Sequence, residues 1–109
     1  MAITGLRVHL RIVQVWLASS MLLSLDEEGV SLYRLPAFKL QCLANRSRYA
    51  QRFAWDGGRA MLAVAVKRKL LLYHYNGNEF VELKDFSLSD AVSKMAWLGE
   101  LICIGMKKE

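Results

Sequence analysis

The chain has 109 residues, of which 54% are hydrophobic and 23% charged, so the sequence predicts one folded domain or part of one and argues against disorder. Lysines and arginines total 15 against 10 acidic residues, and this formal charge of +5 favours anionic partners weakly without indicating a fold. No apolar run approaches the roughly 20 residues of a membrane span, and cations interrupt the first apolar run, which argues against a signal peptide. We therefore expect any membrane contact to be peripheral.

Strand-like segments separated by turns fill the first part of the chain. In order, they are 11–16 (RIVQVW), 21–25 (MLLSL), 30–35 (VSLYRL) and 39–43 (KLQCL). A turn is predicted at 26–29 (DEEG) and another at Pro36, where the missing N–H costs no hydrogen bond of the ladder. A helix over MLLSLDEEGVSLYRL is the alternative, but Gly29 and the β-branched and aromatic residues favour strands.

The same order of strands and turns returns in the second part of the chain. The predicted strands are 51–55 (QRFAW), 61–66 (MLAVAV), 70–75 (LLLYHY) and 79–86 (EFVELKDF), joined by turns at DGGRA, KRK and NGN. The glycines of DGGRA tolerate positive φ, and Asn-Gly is a strong signal for a tight hairpin. Two further strands, 93–97 (SKMAW) and 101–105 (LICIG), begin a third set.

These sets form an internal repeat with a period near 40 residues. Segments 21–35 and 61–75 align without a gap at an offset of 40, which places Tyr33 on Tyr73. Such a period with only strand-like content is typical of β-propeller blades. The prediction is an all-β fold, a partial β-propeller of the WD40-like kind, with two four-stranded blades and the start of a third, in units of about 11–45, 50–88 and 92–109. A tryptophan precedes the first aligned apolar residue of each unit, and we expect the three to occupy similar places at strand ends: Trp16, Trp55 and Trp97.

Consecutive cations mark the turn between the second and third strands of the second unit. The equivalent turn of the first unit carries the anions of DEEG, so the simplest interpretation of both is a solvated hairpin tip. In a propeller, these hairpins and the connections between blades lie on the same face, so the connection NRSRYAQR should bring its two arginines beside the cationic turn, with Tyr49 available for stacking. The candidate interaction rim, called the basic rim below, comprises Arg46, Arg48, Lys67, Arg68 and Lys69.

Nothing in the sequence indicates catalysis, a metal or a cofactor. His9 and His74 lie in different units, without Cys, Asp or Glu at metal-ligand spacing. The sequence has no nucleophile elbow and no phosphate-binding loop. Cys42 and Cys103 each stand alone in an apolar run, so we expect reduced, buried thiols in a cytosolic protein rather than a disulfide framework.

From LAVAVKRKLLLYHY to the final LICIGMKKE, the sequence resembles the citron homology (CNH) domain of tether subunits of the HOPS and CORVET complexes. The combination AVKRKLLLY, EFVELKDFS and SKMAW followed by ICIG with a basic pair carries the resemblance. LLSLDEEGVSLYRLPAF resembles the preceding blade more loosely. The sequence departs from the family pattern at Ser89, where a proline is expected, and at Leu98, where cysteine is frequent.

The resemblance implies a non-catalytic scaffold without cofactor, peripheral to endosomal and vacuolar or lysosomal membranes and active in endosome-to-vacuole transport and fusion. Its implied partners are other tether subunits and small GTPases of the Rab type, and no nucleic acid is expected. The alternative is a basic propeller fragment that binds nucleic acid or phosphoinositide through the basic rim. A propeller enzyme is the least favoured class, because polar or metal-binding residues do not cluster in the sequence.

Overall fold

The computed structural model describes residues 12–107, and this part of the chain contains ten strands and no helix. His9 and the first residue of the predicted strand 11–16 lie outside the described residues. The strands are β1 (Gln14–Leu17), β2 (Met21–Asp26), β3 (Gly29–Arg34), β4 (Lys39–Leu43), β5 (Arg52–Asp56), β6 (Met61–Val66), β7 (Lys69–Tyr75), β8 (Phe80–Ser87), β9 (Val92–Leu98) and β10 (Leu101–Met106).

These strands form three antiparallel sheets in which each strand pairs with its neighbour in sequence. Sheet I has the order β1-β2-β3-β4, sheet II the order β5-β6-β7-β8, and sheet III contains β9 and β10. The all-β prediction is confirmed, and two four-stranded sheets followed by a two-stranded one form a partial propeller. The boundaries of the units, at about 11–45, 50–88 and 92–109, remain a proposal.

The turn residues explain where β7 ends and β8 begins. Between β7 and β8, the side-chain Oδ1 of Asn76 accepts hydrogen bonds from the backbone N–H groups of Asn78 at 2.9 Å and Glu79 at 3.0 Å. Gly77 has a φ of 100°, a conformation that favours glycine. The Asn-Gly signal in the sequence therefore corresponds to a hairpin turn closed by an asparagine side chain.

Sheets I and II pack face to face over the main hydrophobic core. Leu23 and Leu32 of sheet I lie in one cluster of buried side chains with Leu62, Val64 and Tyr73 of sheet II. The central strand β6 is apolar on both faces because sheet II is packed on both sides. Strand β2 is buried along most of its length as well, and burial of both faces accounts for the runs MLLSL and MLAVAV, which show no alternation of apolar and polar residues.

Sheet III covers the other face of sheet II. Ala63 and Leu70 of sheet II pack against Met95, Trp97 and Ile102 of sheet III. The opposite face of sheet III carries large exposed side chains, and its alternating exposure along β9 and β10 contrasts with the continuous burial along β6. The three sheets are thus stacked in sequence order, with sheet II in the middle.

The expected equivalence of the three tryptophans is wrong for Trp16. Trp55 is paired with Leu62, and Tyr73 with the same leucine, so all three side chains share the face of sheet II that meets sheet I. Trp97 likewise faces the preceding sheet. In sheet I, however, Leu17 is paired with Leu22, the position that corresponds to Leu62, whereas Trp16 is one residue earlier and faces the following sheet.

The tyrosine equivalence is confirmed, because Tyr33 pairs with Leu22 as Tyr73 pairs with Leu62. The connection from β1 to β2 (18–20) is shorter than that from β5 to β6 (57–60), and the residue paired with Leu22 is Leu17, one position after Trp16. Since side chains alternate between the faces of a strand, one position is enough to turn the ring to the opposite face. Trp16 and Trp55 therefore meet edge to face between the sheets, with ring centroids 6.2 Å apart.

The expectation of two buried thiols is wrong for Cys103. Both cysteines are free, as predicted, but Cys42 in β4 is half-buried against the main core and Cys103 in β10 is exposed. Cys103 pairs with Ala96 and shares the uncovered face of sheet III with it. Burial raises the pKa of the Cys42 thiol above its ordinary value of 9.0.

Candidate interaction site at the basic rim

The connector between sheets I and II (residues 44–51) is held to both sheets by backbone hydrogen bonds. Ala44 N–H donates to Val30 O at 2.8 Å, and Tyr49 N–H donates to Glu27 O at 3.2 Å, both on the β2–β3 hairpin of sheet I. Gln51 N–H donates to Ala65 O of sheet II at 2.8 Å. The hydroxyl of Tyr73 also donates to a connector carbonyl, that of Asn45. The connector is thus fixed along its length.

Ser47 is the centre of this attachment and was not singled out by the sequence. Its side chain is 1% exposed, and its Oγ accepts a hydrogen bond from Val30 N–H at 2.9 Å and donates one to Ala44 O at 2.6 Å. Gly29 lies directly against it with a φ of 126°, and a Cβ added there would stand 2.3 Å from Ser47 Oγ. Ser47 therefore fixes the part of the connector that carries Arg46 and Arg48.

The β6–β7 hairpin supplies the other three cations. Lys67 and Arg68 form its turn, with Lys67 at a φ of 57°. Lys69 is the first residue of β7, where it pairs with Val66 and Ser87. Paired residues of antiparallel strands share a face, so the Lys69 side chain lies on the face of sheet II that meets sheet I, and the two turn residues lie at its end.

The connector and this hairpin together enclose a pocket, called the rim pocket below, of about 650 Å³. All five residues of the basic rim line it, together with Tyr49. The base of the pocket is apolar, with Val66, Leu71 and Leu88, and the end of β8 contributes Ser87 and Ser89. The structure therefore brings the five sequence-selected cations around one concave site.

Arg46 is already engaged by two carboxylates of β8. Its guanidinium lies 2.5 Å from Glu82 Oε2 and 3.2 Å from Asp85 Oδ2, and Lys69 Nζ is 4.0 Å from the same Asp85 oxygen. The hydrogen bond with Asp85, followed by the charge of Glu82, raises the pKa of Arg46. Asp85, which lies in β8, thus belongs to an ion-pair network.

A β-bulge explains how Glu82 and Asp85 come to act together. Residues three apart in a regular strand point to opposite faces. The pairing between β7 and β8 shifts by one residue after Leu72, so that Asp85 pairs with Leu71 and Glu82 with Tyr73. Both carboxylates therefore lie on the face that meets Arg46.

Arg48 has a different environment. Its guanidinium carbon lies 5.1 Å from the centroid of the Tyr49 ring, a distance at which cation and ring attract each other. A hydrogen bond to Tyr49, the charge of that tyrosine and the charge of Glu28 raise the pKa of Arg48. Arg48 is exposed and lines the rim pocket, and the charge of Glu28 weakens its field there.

The anionic tip of sheet I has fewer solvated charges than the sequence indicates. Asp26 ends β2, is 4% exposed and accepts a hydrogen bond from Glu28 N–H at 2.8 Å. Only Glu27 and Glu28 are exposed turn residues there. The interpretation of 26–29 as a wholly solvated tip is wrong for Asp26, whose carboxylate closes the turn.

The cations that line the rim pocket can attract an anion. Within residues 12–107, no group of three or more His, Cys, Asp and Glu side chains could hold a metal ion. His74 is exposed in β7 and pairs with Val81 and Met61 in the sheet. In the same part of the chain, no helix has the length and apolarity needed to cross a membrane.

Comparison with known proteins adds three relatives that carry related names. The chain is 31% identical over 98 residues to vacuolar sorting protein 39 of Arabidopsis thaliana, covering 89% of this chain and 10% of the relative. It is 35% identical over 96 residues to the human Vam6/Vps39-like protein and 34% identical to the mouse one, each time covering 81% of this chain and 11% of the relative. The chain thus spans about a tenth of the length of these relatives.

The family comparison covers nearly the whole chain. Residues 8–109 match the CNH domain. The match includes all ten strands and every residue of the basic rim. The chain therefore belongs to the CNH domain family.

Proposed function

We propose that this chain is a non-catalytic interaction scaffold of a vacuolar or lysosomal tethering complex, HOPS or CORVET, in endosome-to-vacuole transport and membrane fusion. The observation that carries the proposal is the CNH domain match over residues 8–109, in a chain whose relatives are named for vacuolar sorting. Stacked antiparallel sheets with solvent-exposed hairpins suit a binding role, because they hold loops on a rigid support. No reaction is assigned to the site.

The proposed partners are other tether subunits and small GTPases, met at the surface of endosomes and vacuoles or lysosomes. The basic rim is proposed as part of the contact surface. All five cations are exposed, four of them on turns and Lys69 at the start of β7, so they can reach an acidic protein surface or an anionic membrane. Nucleic acid is the weaker alternative, because Glu27, Glu28, Glu82 and Asp85 interrupt the basic surface along which a phosphate backbone would have to run.

The proposal is tested by binding and recruitment together. The tagged full chain is expressed in cells, and its recovery with tether subunits and small GTPases is measured beside its fraction on endosomal and vacuolar membranes. We expect the unaltered chain to recover at least one tether subunit or GTPase directly, as checked with the purified pair. A folded chain that binds none of them and remains off these membranes contradicts the tethering role.

Charge reversal tests the contribution of the basic rim. We expect Lys67→Glu/Arg68→Glu to reduce recruitment, and its folding to be unaltered, since exposed turn substitutions usually change stability by less than about 0.5 kcal/mol. Lys84→Glu/Lys94→Glu is the matched control, because it removes the same charge from exposed positions outside the rim pocket. Equal recruitment of the two folded double variants would show that the cations of this turn do not contribute to recruitment and that the turn is only a solvated hairpin tip.

A further inference from the structure

We infer that the rim pocket binds a phosphate-bearing group of the kind found in phosphorylated lipid headgroups and in free inositol phosphates. The inference deepens the proposed role of the basic rim and rests on it, but it does not depend on the identity of the tether complex. It follows from the charge inside the pocket, from its size and from the acidic residues around it.

The cations of the pocket fall into two groups. Some are already paired with carboxylates of the chain, and the others are available to a ligand. Glu82 and Asp85 engage Arg46, and Asp85 also reaches Lys69 at the longer distance of 4.0 Å. Lys67 and Arg68 make no ion pair within residues 12–107, and both line the pocket from the exposed turn. A doubly charged phosphate monoester would therefore meet these two cations first, with Lys69 behind them.

The shape of the pocket favours a compact anion. A volume of about 650 Å³ lies within the range of pockets that hold small ligands, roughly 300–1,000 Å³. The lining combines cations with the hydroxyl-bearing side chains of Ser87, Ser89 and Tyr49 above the apolar base. A phosphorylated polyol offers oxygens to the cations and hydroxyls, and its carbon ring can rest on the apolar base.

The surroundings of the pocket disfavour a long anionic chain. Glu82 and Asp85 lie beside Arg46, and the charges of Glu28 and Glu27 act on Arg48. These carboxylates would repel phosphates that extend past Arg46 or past Arg48. A single phosphorylated headgroup fits between them, whereas a nucleic-acid backbone would pass along them.

The first experiment titrates the purified full chain with soluble inositol trisphosphate and records the backbone amide NMR shifts. Unphosphorylated inositol is the control. We expect inositol trisphosphate to shift the amides of 46–49, 67–69 and 87–89 in a saturable way, and inositol to leave them unchanged. Absence of saturable shifts at these three segments overturns the inference, even if recruitment to membranes depends on the rim.

Two variants with opposite expected effects make the assignment specific to the pocket. Lys67→Glu/Arg68→Glu should weaken inositol trisphosphate binding by about tenfold or more, since it replaces two charge-assisted contacts by repulsion. Asp85→Asn removes a carboxylate that competes for Lys69 and Arg46, so it should tighten binding. The matched control Lys84→Glu/Lys94→Glu should change the affinity by less than about twofold, because exposed charges at a distance are screened.

Vesicles distinguish the sources of the phosphate group. Flotation is measured with phosphatidylcholine vesicles that contain either a phosphatidylinositol phosphate or phosphatidylserine at equal total charge. Preference for the phosphorylated lipid supports a headgroup as the ligand, and binding of soluble inositol trisphosphate without this preference supports a free inositol phosphate. Equal weakening in both double variants, or tighter binding of a single-stranded oligonucleotide at the same segments, overturns the inference.

Discussion

Ser47 is the residue on which the position of the two connector arginines depends. Its hydroxyl accepts a hydrogen bond from Val30 N–H at the start of β3 and donates one to Ala44 O within the connector, and the side chain is buried. A serine in the middle of NRSRYAQR has the composition of a solvated loop, so the sequence does not distinguish this role. A small side chain is required there because Gly29 approaches it so closely.

Ser47→Ala is expected to destabilise the chain by about 1–3 kcal/mol, because Val30 N–H would be buried without its hydrogen-bond acceptor. Urea denaturation followed by tryptophan fluorescence measures the change. Ser19→Ala, at an exposed position, is the control and should change the free energy of unfolding by less than about 0.5 kcal/mol. Similar small losses in the two variants would contradict the bridging role of Ser47.

The two cysteines are expected to differ in their reaction with iodoacetamide. Cys103 is exposed, whereas burial raises the pKa of Cys42 and keeps it in the unreactive thiol form. Mass spectrometry of the native chain should show alkylation at Cys103 first, and unfolding in urea should abolish the difference. Because the fold favours the neutral Cys42 thiol, its contribution to stability is complete below the unfolded pKa and is lost as pH rises through the folded one. Equal native rates would contradict the placement of Cys42.

At the level of strands, β5 shows how neighbouring sheets are joined without backbone pairing. On one side, the Gln14 side chain of β1 donates to Phe53 O at 2.8 Å and accepts from Phe53 N–H at 2.9 Å. On the other side, the Trp97 indole N–H of β9 donates to Ala54 O at 3.0 Å. Consecutive β5 residues thus use side chains of both adjacent sheets as hydrogen-bond partners.

Trp97→Phe is expected to cost about 1 kcal/mol through the lost hydrogen bond to Ala54 O, beyond the smaller apolar area of phenylalanine. Trp16→Phe is the comparison, since it makes a similar change at a ring that packs against Trp55. The free energy of unfolding in urea should fall more for the Trp97 variant. The role given to the indole N–H would be wrong if the Trp16 variant were the less stable one.

The sequence predicts strands better than it predicts the direction in which their side chains point. The repeat and the turn residues were sufficient for every strand to be placed within a few residues, because alternation and glycine-rich turns are local signals. The one-residue offset of Trp16 and the bulge that aligns Glu82 with Asp85 depend on pairing between strands. For the same reason, the sequence brings the five rim cations together but does not show that Arg46 is already paired.

At the scale of the whole molecule, no other sheet of the described residues covers the outer face of sheet III. Leu98 and Leu101 are each 67% exposed and are paired with each other, and Ala96 and Cys103 continue the same face. Within the described residues, β10 pairs only with β9, so its other edge presents unpaired backbone groups. Propeller blades gain stability from their neighbours, so we expect the chain by itself to be marginally stable and prone to self-association.

Leu98→Thr/Leu101→Thr is expected to reduce this self-association and to leave the thermal transition nearly unchanged, because threonine suits an exposed strand and the two leucines bury little surface. Sedimentation velocity at several concentrations measures the change. Leu40→Thr/Leu43→Thr, on exposed positions of β4, is the control for a general gain in polarity. A soluble monomer with a sharp cooperative transition before any substitution would contradict the expectation.

The pairing of each strand with its neighbour in sequence also implies an order of opening. Every hairpin can close locally, whereas docking of the sheets brings together residues about 40 positions apart, so hairpin formation requires the smaller loss of chain entropy. Strand β6 has partners on both edges and a sheet on both faces, whereas β10 has one partner strand and one uncovered face. Hydrogen exchange should therefore advance inwards from sheet III, and the amides of β6 should be the last to lose their protons to deuterated solvent.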